Sequence, residues 1–97
     1  PVSVPVAAVE LSGQLVGDIA PTLKKLDADI KSAALIKLTC SNLIRVDFVA
    51  AGALLNWVMT RRTENRGVSF LEAHRLVALF FGAMGINGHA KVKVRTN

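Results

Sequence analysis

Cys40, Asp47 and His74 have the chemistry of a nucleophile, an orienting carboxylate and a base. Each falls near the carboxyl end of an expected strand, where α/β folds place their sites. Against this stands the tendency of a free cysteine that follows an apolar strand to be buried and inert, and that reading is preferred. A zinc site needs three or four ligands, and His74, His89 and Cys40 lack ligand spacing, so no metal is expected. Gly82, Gly85 and Gly88 resemble a phosphate loop only superficially. They follow a helical pattern instead of a strand, and no Lys-Ser or Lys-Thr comes after them, so they read as helix-end and turn glycines. No catalytic set remains. Neither enzymatic activity nor a cofactor is expected.

Two basic clusters, Arg61, Arg62 and Arg66, then Lys91, Lys93 and Arg95, stand out in a chain of formal net charge +5. Such a charge favours anionic partners without naming one. The chain has no Tyr, and its Phe residues fall at core spacing, so the stacking platform of a nucleic-acid binder is missing and no DNA partner is expected. The clusters read as solvated faces. Trp57 is the aromatic with the best chance of exposure, although the neighbouring Leu54 and Val58 favour its partial burial. Phe48 and Val49 lie in an expected loop leading into a helix. Apolar residues there mark either a loop tucked into the core or a docking surface.

The elements that must position these residues fit a single domain. The chain has 97 residues, of which 52% are hydrophobic and 20% charged, enough for one core without disulfides. A lone cysteine suits a reducing compartment, hence a cytoplasmic expectation. No apolar run approaches the roughly 20 residues of a membrane span. Pro1 in place of Met, with no signal-peptide pattern, gives the expectation that residues 1–97 are one domain from the C-terminal part of a longer chain, unless a tag was removed.

Valines from Val6 to Leu11 predict a first strand. Asp18 and Pro21 open a helix whose Ile19, Leu23, Leu26 and Ile30 share one face. Leu35 to Cys40 predicts an inner strand buried on both faces. A loop from Ser41 to Val49 precedes a second helix over Ala50 to Asn65, which Gly67 ends in a left-handed conformation. Val68 to Leu71 predicts the next strand. A third helix from His74 to Met84 carries Leu76, Val77, Phe80, Phe81 and Met84 on one face and is stopped by Gly85. Val92 and Val94, alternating with Lys91, Lys93 and Arg95, predict an edge strand with a charged outer face. Strands alternating with helices require crossovers. The fold class is therefore α/β, a single mainly parallel or mixed sheet of four to five strands with three main helices packed on it.

Several segments together resemble the STAS domain family, named for sulfate transporters and anti-sigma factor antagonists. Leu11-Ser-Gly-Gln-Leu15 is similar to the family's entry turn. Leu38-Thr-Cys-Ser-Asn-Leu-Ile-Arg-Val-Asp47 resembles its strand and loop, Ala51-Gly52-Ala-Leu-Leu its Gly and apolar helix, and Asn65-Arg-Gly-Val-Ser-Phe its helix end and next strand. The resemblance implies a non-catalytic regulatory module that docks a protein, either an anti-sigma-like factor or an ABC transporter subunit, as in the STAS subunits of lipid-transport systems. Two departures stand out. The family places a phosphorylatable hydroxyl at the start of the second helix, whereas this chain has Asp47-Phe48-Val49-Ala50-Ala51-Gly52, with Ala50 at the acceptor position and no Ser or Thr between Asp47 and Leu55. The family also has an extra leading strand, of which Val2 to Val4 would be a remnant.

The expected docking residues are Arg45, Asp47, Phe48, Val49 and Ala50 around the second helix start, with His74 and Arg75 at the third. The alternative is a sensor that binds a nucleotide or an anionic lipid headgroup at those helix N-termini, where free amides favour anions.

Overall fold

The structure, a computed structural model, describes residues 4–96. Four strands, β1 (Val6–Glu10), β3 (Leu35–Thr39), β5 (Gly67–Ala73) and β6 (Lys91–Val94), form one parallel sheet in the order β1-β3-β5-β6. A second, two-stranded parallel sheet pairs β2 (Gly13–Leu15) with β4 (Leu43–Val46). The helices α1 (Ala20–Ile30), α2 (Phe48–Thr63) and α3 (Arg75–Ala83) supply the crossovers, and a 3-10 turn (Ile86–Gly88) leads into β6. The expected α/β class, main strands and three helices are all present.

Alternation along the strands decides which side is core. Ile36 and Leu38 of β3 and Val68 and Phe70 of β5 are buried against Leu26 and Ile30 of α1, Leu54 and Val58 of α2, and Val77 and Phe81 of α3. Leu35 and Lys37, on the other side of β3, are exposed. The inner strand is therefore buried on one face and not on two: all three helices pack on the same side, and among the described residues nothing covers the sheet's reverse face. The short apolar run at Leu35 to Cys40 contained the alternation, but its single lysine was too little to reveal it.

Other differences are local. The expected loop from Ser41 to Val49 contains β4, and α2 begins at Phe48, so Phe48 and Val49 form its first turn. The short strand β2 was not anticipated, because Gly13 and Gly17 read as punctuation. Asn65, with φ of 61°, and not Gly67, makes the left-handed turn after α2, while Gly67 starts β5. Gly85, with φ of 85°, does stop α3. Helix α1 begins at Ala20, whose amide donates to Asp18 Oδ1 at 2.9 Å. Of the suggested leading remnant, Val4 lies outside any strand and Val2 falls outside the described residues.

The first basic cluster is not a solvated face. Arg66 donates from Nε to the Ala33 carbonyl at 2.8 Å and from Nη2 to the Lys31 carbonyl at 2.7 Å, closing the end of α1 onto the approach to β5. Arg61 pairs with Asp27 at 2.7 Å and lies over the Trp57 ring, 5.2 Å from its centroid. Trp57 is buried, and its Nε1–H donates to the same Asp27 oxygen at 2.8 Å. One carboxylate on α1 thus fixes α2. The exposed aromatic is Phe48 instead.

Candidate functional site

Asp47 shapes the start of α2. Its Oδ1 accepts from the Ala50 amide and its Oδ2 from the Gly17 amide, both at 2.9 Å, so it caps the helix and ties it to the turn after β2. The Ala50 amide, then the Gly17 amide, and to a lesser degree the Arg45 charge hold its carboxyl below the usual carboxylate range. A depressed folded value means that Asp47 stabilises the fold fully above the unfolded pKa near 3.8 and loses that contribution as pH falls through the lower folded value. Asp47→Ala should therefore lower the thermal midpoint at neutral pH by on the order of 5 °C. The gap to the wild type should close below pH 3.8. Paired melts at neutral and acid pH test this, and a gap that persists in acid would show that the carboxylate is not responsible.

Asp47, Cys40 and His74 do not assemble as a catalytic set. Both Asp47 oxygens face backbone amides. His74 Nε2–H donates to the Ser41 carbonyl at 3.1 Å, tying the start of α3 to the turn before β4. Cys40 is fully buried, its Sγ lies 3.5 Å from the Leu38 carbonyl, and burial pushes its thiol up to about 12. Relative to an ordinary thiol at 9.0, that lowers the thiolate population about a thousandfold. A thiol reagent at pH 8 should leave the folded protein unmodified and label it fully once denatured; rapid labelling of the folded form would contradict the burial. Among the described residues no three His, Cys, Asp or Glu side chains gather to hold a metal.

An apolar surface is assembled instead. Phe48 and Val49, in the first turn of α2, are 72% and 64% exposed, and Leu76 and Leu79 of α3 are 79% and 64% exposed. The Phe48 ring meets Phe80 edge-on, with centroids 5.6 Å apart. Ile44 and Arg45 of β4, with Leu76 and Phe80, line a shallow depression beside that pair. Arg45 is exposed within it, and Asp47 and His74 are half-buried. Ala50 is wholly buried beneath the first turn. Of the expected docking residues, Arg45 lines this depression and Phe48 and Val49 stand beside it with Ala50 buried below, whereas His74 and Arg75 line a separate depression with Val94, Arg95 and Thr96.

Ile44, Leu76, Leu79 and Phe80 were not among the expected site residues. The periodicity predicts Leu76 and Phe80 on the core face of α3, but that face is Val77, Ala78 and Phe81. Leu76, Leu79 and Phe80 form a second stripe at helical spacing. The signal was the unbroken apolar run from Leu76 to Phe81, more than one helix face can bury.

Fold and site together define a small parallel α/β layer with an apolar surface where α2 and α3 begin. The family model described as Mlab, STAS domain matches residues 3–95, and the chain belongs to the STAS domain family. No curated protein and no solved structure matches it. Domains of this family are in general non-enzymatic modules that bind other proteins. Among the described residues no helix is long and apolar enough to cross a membrane.

Proposed function

We propose that this domain is a non-catalytic docking module, always competent to bind, whose partner is an anti-sigma-like factor or a subunit of an ABC transporter. The observation that carries this reading is the solvent-facing apolar surface of Ile44, Phe48, Leu76, Leu79 and Phe80. Monomeric proteins rarely leave such a patch uncovered unless something docks on it. Arg45, which lines the patch, favours a partner with an acidic residue beside an apolar centre.

The surface has no phosphate switch. A switch at this helix start needs a hydroxyl, whose phosphate would add roughly 1.5 to 2 negative charges. The segment from Asp47 to Leu55 has none, and Ala50 at the acceptor position is buried. The lone buried thiol supports a reducing, cytoplasmic setting. The test is a pull-down from native lysate with the wild-type domain and with Phe48→Asp, alongside intact-mass analysis of the native protein. The expected result is a partner lost from the variant and no phosphate between Asp47 and Leu55. A folded variant that retrieves the same partners, or phosphate in that segment, would overturn the reading.

A further inference from the structure

The reverse face of the four-stranded sheet carries a pattern that protein docking at α2 and α3 does not use. Residues that alternate away from the helices are Val6, Ala8 and Glu10 on β1, Leu35, Lys37 and Thr39 on β3, Gly67, Ser69 and Leu71 on β5, and Lys91 and Lys93 on β6, with Glu10 in the row at the carboxyl end. Strand register aligns them in rows. Lys37 pairs with Ser69, and Ser69 with Lys91, so one hydroxyl sits between two ammonium-bearing strands. The next row toward the strand starts is Val6, Leu35 and Gly67, with Val6 51% and Leu35 43% exposed. Lys37, Ser69, Lys91 and Lys93 line a broad shallow depression that Arg62 borders.

The positive charge on this face is not neutralised. Among the described residues, the ion pairs involve Asp27, Arg61, Glu64 and Arg66, and none reaches Lys37, Lys91 or Lys93. The acids of β1 and β5, Glu10 and Glu72, lie toward the carboxyl ends of their strands, and Glu10 accepts from Asn42 Nδ2 at 2.9 Å.

We propose that this helix-free sheet face, through Lys37, Lys91 and Lys93 beside Val6 and Leu35, is a contact surface for an anionic phospholipid membrane. Lysines on a flat face reach the phosphate layer while their stems and adjacent aliphatic side chains rest at the boundary below it. A nucleic acid would call for aromatic side chains to stack on, and Trp57, Phe70 and Phe81 are buried on the opposite side. An added peptide strand would take an edge of the sheet and not its face. Because α2 and α3 cover the other side, membrane and protein partner can be held together, and this proposal stands independently of the docking reading.

The test is cosedimentation of the purified domain with large vesicles of phosphatidylcholine alone or with about 30% phosphatidylglycerol, at low and at roughly 0.3 M salt. Binding is expected to anionic vesicles only, and to fall steeply with salt. Lys37→Glu combined with Lys91→Glu should reduce it by roughly tenfold or more. Lys24→Glu with Lys25→Glu on α1 makes the same change in net charge and should reduce it far less, and Phe48→Asp should leave it intact. Circular dichroism verifies folding of each variant, with Lys37→Gln/Lys91→Gln as a milder pair. Equal binding to neutral vesicles, equal losses in the two charge-reversed pairs, or retention of a poly-aspartate or oligonucleotide probe in place of vesicles would overturn the proposal.

Discussion

A Phe48→Asp, Leu76→Asp double variant should melt within a few degrees of the wild type and bind its protein partner roughly a hundredfold more weakly or worse. The two side chains are 72% and 79% exposed, so little burial is lost from the fold. Phe48 gives up its edge-on contact with Phe80, a term of about 1 kcal/mol. In return, both new carboxylates lie in the first turn of a helix, Phe48 directly after the Asp47 cap and Leu76 in second position of α3. Anionic side chains there gain about 0.3 to 1 kcal/mol each from the helix macrodipole. The partner experiences the opposite: two charges buried unpaired against an apolar surface, each substitution costing about 2 kcal/mol or more at a central anchor. Calorimetric titration of the retrieved partner, with melting curves alongside, separates the two effects. Unchanged affinity in the folded variant would place docking elsewhere.

Phe81→Ala should be the most damaging single truncation on α3, while Phe80→Ala next to it should cost far less stability and should weaken docking. Phe81 is fully buried and packs on Phe70 of β5 with ring centroids 5.0 Å apart, tilted by 59°. Emptying that position costs about 3 to 5 kcal/mol, because helix and sheet cannot both collapse into the space. In a domain stabilised by about 5 to 15 kcal/mol, that lowers the midpoint by roughly 20 °C. Phe80 is only half-buried and turned toward Phe48. Urea titration of the two alanine variants decides it, and a reversed ranking would mean that the two faces of α3 have been exchanged.

Those neighbouring phenylalanines also show where reading the residues succeeds and where it stops. Strands rich in β-branched residues, helices with clear polar faces and the glycine at 85 were legible because the cause of each is local. The α3 helix is legible but its core face is not fully so, because an all-apolar stretch has no polar face to orient it, and only the sheet beneath selects Val77, Ala78 and Phe81 as core. Strands β2 and β4 were invisible for a related reason: each is short, and each exists because the other supplies hydrogen-bond partners. The Asp47 cap on α2 is a local feature. The second bond of Asp47, to the Gly17 amide from the turn after β2, depends on a contact between distant parts of the chain. The arginines misled in the same way: nothing about Arg66 itself announces that the Lys31 and Ala33 carbonyls will need a donor.

The order β1-β3-β5-β6 has a temporal meaning as well as a spatial one. Within this sheet each strand settles against the one that precedes it along the chain, and no place is reserved for a later arrival between two earlier strands. As the chain leaves the ribosome, β1 and β3 can pair with α1 laid across them, and β5 and then β6 can be added at one growing border. Every step closes a long loop, since parallel neighbours cannot form a hairpin, so each addition is slow by comparison with local helix formation. The border that waits longest among the described strands is the one that receives β6, and the lysines along β6 guard that edge against pairing with a neighbouring nascent chain.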